Sequence, residues 1–319
     1  MGLVASVTGY QMFRVAQAWY VYELTGSPLW LVFAALANAV PGMFFNLFGG
    51  VFADRLNKRL LVMCTQAAAA GIIFTLAVLT LMGIATQWHV MIIAFLAGAV
   101  EAFDNPARQA MYPHLIDRKV MTSAVALNSS VWSATRIVGP VIAGFIVDFQ
   151  GMSTAFFVAG AGFTIMAVVM LFLKVPPIPR GSHGNPVQDL LVGLRFIKGN
   201  SIFTFLITMT FFNSFFGMAY VFLIPVFAQE NLGLGATEYG ALLSASGVGS
   251  LLVTFILVSK SNLGSKGLMI IGGAFLFGAS LIAFGLTSKY IGSYELALAM
   301  LFAIGLFTSV VNISIQSAL

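Results

Sequence analysis

The chain has 319 residues, of which 60% are hydrophobic and only 8% charged, with a mean hydropathy of +0.99 and a formal net charge of +5. A soluble domain carries about 25% charged residues, so this chain lacks the polar side chains to cover the outside of the cores it could bury. Its surface must itself be apolar and its solvent lipid, which makes it an all-α polytopic membrane protein. The single cysteine, Cys64, excludes an internal disulfide and a thiolate metal cluster, and the three histidines are scattered without metal-ligand spacing. No phosphate-binding glycine loop and no nucleophile–base cluster is present, so ATP-driven transport and enzymatic catalysis are both unsupported, and no cofactor or metal is expected.

A spanning helix needs about 20 mostly apolar residues. Such segments fall at 1–24, 28–52, 60–82, 88–104, 121–147, 154–173, 201–227, 239–259, 268–286 and 294–317. The first of them lacks the basic start and small-residue cleavage site of a signal peptide and carries Arg14 in mid-run, so it reads as a membrane helix.

The basic residues are placed one-sidedly. One alternate set of connections holds Arg55, Lys58, Arg59, Arg108, Arg118, Lys119, Lys174, Arg180, Arg195, Lys198, Lys260 and Lys266. The opposite set holds only Lys289, while Arg14 and Arg136 lie inside helices. This bias puts the basic loops and the N-terminus in the cytoplasm and the chain in the plasma (inner) membrane. The positive charge is thus a topology signal, and nucleic acid is not an expected partner.

Residues 174–200 form the longest polar connection, beginning with several prolines and ending in an amphipathic pattern that suits a short surface helix. The chain divides into a six-helix half (1–173), a cytoplasmic linker (174–200) and a second half (201–319). The basic hairpin "GGVFADRLNKRLL" between helices two and three has a degenerate echo in "VSKSNLGSKGL" between helices eight and nine. Parallel halves of this kind are a transporter architecture.

These residues carry a family resemblance. Gly50, Asp54, Arg55, Lys58 and Arg59 resemble the helix 2–3 signature of the major facilitator superfamily, with Asn57, a residue tolerant of left-handed backbone, where that signature has glycine. Gly139, Pro140 and Gly144 in "RIVGPVIAG" resemble the helix-five signature of its exporters. "YVYELTGSPLWL", "EAFDNPARQAMYPHLI" and "EYGALLSASGVGSLL" look like the branch of enterobactin exporters and macrolide-efflux proteins (drug:proton antiporter-3-like, transmembrane secretion effectors). The resemblance implies a major facilitator fold of six plus six helices, of which about ten are present. A fragment lacking the last two helices is the favoured reading, and a natural ten-helix protein is the rival. It also implies a secondary active exporter of bulky amphipathic molecules, siderophore- or drug-like and coupled to protons, which is monomeric if complete. An inactive or partner-requiring fragment and an integral membrane enzyme are the alternatives.

Several residues stand out. The hairpin charges orient the chain, and the resemblance adds a cytoplasmic gate. In it Asp54 meets a helix N-terminus of the other half, and Arg59 pairs with an acid ending helix four, for which Asp104 is the best match. Pro106 is expected to end that helix and so to disfavour an Asp104–Arg108 pair. Glu101, one turn deeper, is costly as a carboxylate and is the first candidate to carry a proton. Arg14 and Arg136 lie about 14 Å and about 18 Å of helix from the acidic ends Glu23 and Asp148, near mid-membrane. They line a polar cavity favouring anions, or fix helix packing through backbone carbonyls or Glu101. Gly139, Pro140 and Gly144 make helix five bendable and closely packed. Asn213, among the phenylalanines of helix seven, is a candidate substrate contact, and Asn38 in helix two and Asn312 and Gln316 in helix ten are candidates of the same kind. The proton-coupled drug exporters usually carry an arginine in helix four before a glycine; here Gly98 follows "MIIAFLA" instead.

Overall fold

A computed structural model describes residues 1–115, 121–173, 219–259 and 266–318, with positions 199, 204, 205 and 208; toward several loops, including 50–55 and 112–115, it describes backbone alone. In lipid every backbone N–H and C=O must be satisfied within the chain, so an apolar run becomes helix. Ten α-helices follow among the described residues: α1 (Gly2–Thr25), α2 (Pro28–Arg55), α3 (Lys58–Leu81), α4 (Gln87–Leu115), α5 (Met121–Gln150), α6 (Met152–Phe172), α7 (Ala219–Val226), α8 (Ala236–Ser259), α9 (Lys266–Leu286) and α10 (Tyr294–Ala318). Short π-helical turns, Phe227–Asn231 and Thr287–Ile291, extend α7 and α9. Eight helices, α2 to α6 and α8 to α10, are long and apolar enough to cross a membrane.

The helices group into two compact units, Met1–Pro186 and Val187–Leu319. The division falls inside the predicted 174–200 linker, which lies outside the described residues apart from Gly199, as does most of 201–218 with Asn213.

In the first unit α1 is wedged between neighbours. Gly9 abuts the Ala159 carbonyl of α6, and Gly162 of α6 abuts the Ala5 carbonyl, so a methyl at either would overlap backbone. Gly98 of α4 lies against the Asn38 carbonyl of α2 in the same way. The second unit repeats this device on its own second and fourth helices: Gly305 of α10 abuts the Ser246 carbonyl of α8, and Gly249 abuts the Phe302 carbonyl. Small residues at such seams let backbones approach without a hydrophobic driving force between helices.

Two expectations are corrected here. Helix four does not stop near Pro106 but continues to Leu115. Pro106 has no N–H to give the carbonyl four residues earlier, that of Ala102. Gly49 of α2 lies against this same carbonyl, with a methyl at Gly49 excluded by the Ala102 oxygen and by Pro106 Cγ at 3.2 Å. The neighbouring helix thus covers the group the proline leaves unpaired, and α4 runs on. Asn57 is not a left-handed position either. Its backbone is extended (φ −65°, ψ 108°), and its side-chain oxygen accepts from the N–H groups of Arg59 (3.1 Å) and Leu60 (3.3 Å), capping α3.

Candidate functional site

The site grows from one stripe of α1. Ser6, Tyr10, Arg14 and Gln17 are spaced four, four and three residues apart, so they share a helical face. That face meets α2, α3 and α4, where Ser6, Tyr10 and Gln17 find partners, while Arg14 reaches Tyr10 on α1 itself.

At the end nearer the basic loops, Ser6 Oγ donates to Gln66 Oε1 at 2.7 Å. Gln66 Nε2 in turn donates to Asp104 Oδ1 at 2.9 Å, and Thr65 Oγ1 donates to the same oxygen at 2.7 Å. The other carboxylate oxygen of Asp104 pairs with Arg108, one turn along α4. Asp104 is 3% exposed and Gln66 1%. A buried carboxylate persists when charge and hydrogen bonds compensate the lost water, and here three donors converge on it. Arg108 Nη1 is buried without a hydrogen-bond partner.

One turn up α4 the arrangement is sparser. Tyr10 OH donates to Glu101 Oε2 at 3.1 Å, and Arg14 Nη1 donates to Tyr10 OH at 3.2 Å. The phenol stands between the arginine and the carboxylate. The Arg14 guanidinium carbon also lies 5.8 Å from the Tyr10 ring centroid. Trp132 of α5 meets the Tyr10 ring edge-on, centroids 6.0 Å apart at 72°. Further along, Asn38 Nδ2 donates to Gln17 Oε1 at 3.2 Å and to the Ala34 carbonyl at 3.0 Å.

These groups open on a cleft of about 540 Å³ within the first unit, lined among others by Tyr10, Phe13, Asn38, Gln66, Glu101, Asp104, Arg108, Trp132 and Phe163. Aromatic and aliphatic walls with a few convergent polar groups are the usual make-up of a small-molecule site.

The residues expected from sequence fall into place unevenly. Arg14 and Glu101 are brought together, through Tyr10 rather than directly. Arg136 is exposed on α5 and does not line this cleft. Gly139, beside the buried Pro140, lies against Gln11 of α1, where a methyl would sit 2.7 Å from Cβ; Gly144 is buried one turn on. Asp104 is bonded to Arg108 and not to Arg59; it is buried, and the Arg108 pair forms because α4 continues past Pro106. Arg59 instead donates through Nε to the Met170 carbonyl (2.7 Å) and through Nη2 to the Leu171 carbonyl (2.5 Å). It thereby caps the C-terminal end of α6, where unpaired carbonyls and the helix dipole favour a cation. Lys58 is buried at the start of α3. The side chains of Gly50, Asp54 and Arg55 lie outside the described residues.

Sequence reasoning passed over Ser6, Tyr10, Gln17, Thr65, Gln66 and Trp132. For α1 the signal was available: Arg14 is one member of a polar stripe at helical spacing. No such spacing announces Gln66 or Trp132, which belong to the site through tertiary contacts.

A polar seam inside a bundle of membrane helices, opening on an aromatic-walled cleft, defines the chain as a membrane transporter by class. Comparison agrees: a family model described as transmembrane secretion effector matches residues 1–318. The chain belongs to that family of the major facilitator superfamily, whose members are transporters and not enzymes. It is 27% identical over 275 residues to the staphyloferrin A transporter of Staphylococcus aureus, covering 84% of this chain and 68% of that one. It is 23% identical over 292 residues to macrolide efflux protein A of Streptococcus pyogenes (89% and 71% covered). It is 24% identical over 252 residues to the enterobactin exporter EntS of Shigella boydii (77% and 58% covered). Among solved structures, an inward-facing bacterial homologue of the human lysosomal transporter Spinster superposes with a TM-score of 0.73 at 13% identity, covering 98% of this chain and 72% of that one. The nucleoside transporter NupG gives 0.68 at 14% identity, with 98% and 79% covered. These superpositions establish the major facilitator fold.

Proposed function

We propose that the chain is a secondary active exporter of bulky amphipathic small molecules, siderophore- or drug-like, working by alternating access and proton antiport. The basic loops and N-terminus lie in the cytoplasm and the helices in the plasma membrane. The observation that carries the reading is the Arg14–Tyr10–Glu101 relay beside the cleft. An ionisable residue at membrane depth is retained at a cost, and paths for ions and protons are where such residues concentrate. The similarity to a staphyloferrin A transporter, a macrolide efflux protein and an enterobactin exporter supports the substrate class and the direction.

Glu101 is the proton carrier. Among the described residues one side chain bonds the Glu101 carboxylate, whereas three donors converge on Asp104 three residues away. Arg14, held through Tyr10, stabilises the ionised form of Glu101, and protonation of Glu101 releases that hold.

The test is efflux of a macrolide and of staphyloferrin A into inverted membrane vesicles, with and without an imposed pH gradient. Efflux of at least one that falls to background when the gradient is collapsed, and in Glu101→Gln, is the expected result. Efflux indifferent to the gradient overturns antiport, and absence of efflux of both overturns the assigned substrate class.

A further inference from the structure

Around Glu101 the charges cancel in pairs. The described charged or titratable groups facing it are Tyr10 and Arg14 from α1, and Asp104 and Arg108 from α4. Asp104 and Arg108 are bonded to each other, and an ionised Glu101 balances Arg14 across the phenol. The other walls contribute neutral side chains, with Asn38 from α2, Trp132 from α5 and Phe163 from α6. With Glu101 ionised, the cleft therefore has no net charge with which to draw an anion or a cation. What it offers is aromatic surface and one carboxylate whose only bonded side chain among the described residues is a neutral hydroxyl.

We infer that this cleft is a subsite for a neutral aromatic group bearing a hydroxyl, which packs against Trp132 and takes the place of the Tyr10 hydroxyl on the Glu101 carboxylate. Tyr10 is then a built-in stand-in for ligand: a phenol donating to Glu101 while its ring meets Trp132 edge-on. An incoming phenol makes the same hydrogen bond with the same acceptor, so the Glu101 carboxylate stays paired, and the freed Tyr10 O–H turns to the ligand's own oxygen as acceptor. The displaced Tyr10 hydroxyl oxygen still accepts from Arg14.

Exchange at Glu101 also supplies the coupling. The ligand hydroxyl donates to the ionised carboxylate, so ligand and proton compete for one site, and each weakens the other by the same factor. Competition of this sign is what antiport requires, whereas an anion held by the two arginines would favour protonated Glu101. The inference rests on reading the cleft as part of the substrate path. It does not require that transport be driven by a proton gradient.

The experiment uses the full chain in lipid nanodiscs and two matched probes, 2-naphthol and 2-methoxynaphthalene, which share the ring and differ in the donor. Equilibrium binding at neutral pH is expected to favour 2-naphthol by roughly 3- to 10-fold, the scale of one net hydrogen bond. The preference should fade as pH falls and Glu101 takes up its proton, and Glu101→Leu should erase it. Tyr10→Phe keeps the ring and removes the competing hydroxyl, so it should tighten 2-naphthol binding by a similar factor; a merely structural role for Tyr10 predicts weaker binding. Equal binding of the two probes by the wild-type chain, no saturable binding of 2-naphthol, or weaker binding by a folded Tyr10→Phe variant each overturns the inference. The wild-type probe contrast and its pH dependence decide the matter if a variant fails to fold. Gradient-independent efflux alongside a preserved naphthol preference would remove antiport and leave the subsite standing.

Discussion

The two units close the same seam with different contents. In each, the second and fourth helices meet where a glycine lies on a carbonyl, Gly98 on Asn38 in the first and Gly305 on Ser246 in the second. Beside the first seam lie Gln17, Asn38, Glu101, Asp104 and Arg108. Across the second, Ser250 and Ser309 share one hydrogen bond at 2.5 Å. The described charged residues of the second unit occupy helix ends or the π-helical turns, as Glu230, Glu238, Lys289 and Glu295 do. Among the described residues, backbone geometry is repeated while the cluster of buried charges is not. The fold is therefore carried by small residues at crossings, and the polar stripe of α1 is an addition laid over it.

The largest expected effect breaks the added layer. Asp104→Ala leaves Arg108 buried and uncompensated and strips the acceptor from Thr65 and Gln66, which should cost about 3–5 kcal/mol. A fall in the thermal unfolding midpoint of purified protein measures it. The Asp104→Leu, Arg108→Leu double variant should recover part of the loss, and a double variant as unstable as the sum of the singles would show that the pair does not act as a unit.

An intermediate effect tests the shared layer. Gly98→Ala and Gly305→Ala each force a methyl onto a backbone carbonyl, and overpacking of this kind costs about 1–3 kcal/mol. Similar losses are expected in both, read by the same unfolding measurement. A large loss in one alone would break the equivalence of the two seams. The smallest effect belongs to Ser250→Ala, where an interhelical hydrogen bond in lipid is worth about 0.6 kcal/mol. A loss as large as that of Asp104→Ala would mean that the second unit holds polar weight comparable to the first.

This contrast also explains what was legible in the sequence. Helices announce themselves because lipid leaves an apolar run no other structure, so α2, α3, α5 and α6 begin and end close to the residues expected. Arg14 and Glu101 stood out because charge is rare at that depth. Their connection did not, since Tyr10 resembles any other aromatic in an apolar run until its hydroxyl is seen between them. Asp104 was matched to Arg59 through the family resemblance, and its pair with Arg108 was disfavoured because Pro106 was taken as a helix end. The proline is tolerated through Gly49, which lies 57 positions earlier, beyond the reach of any local rule. Arg59 found carbonyls at the end of α6, acceptors that exist at every helix end and carry no side-chain signature.

The Gly49–Pro106 contact has a consequence for inheritance. A side chain at 49 would collide with the carbonyl that the proline leaves open, and a non-proline at 106 would reclaim that carbonyl for α4. Neither position changes freely without regard to the other. Descendants of this sequence are expected to keep both or to replace both, so that two residues on separate helices drift as one character.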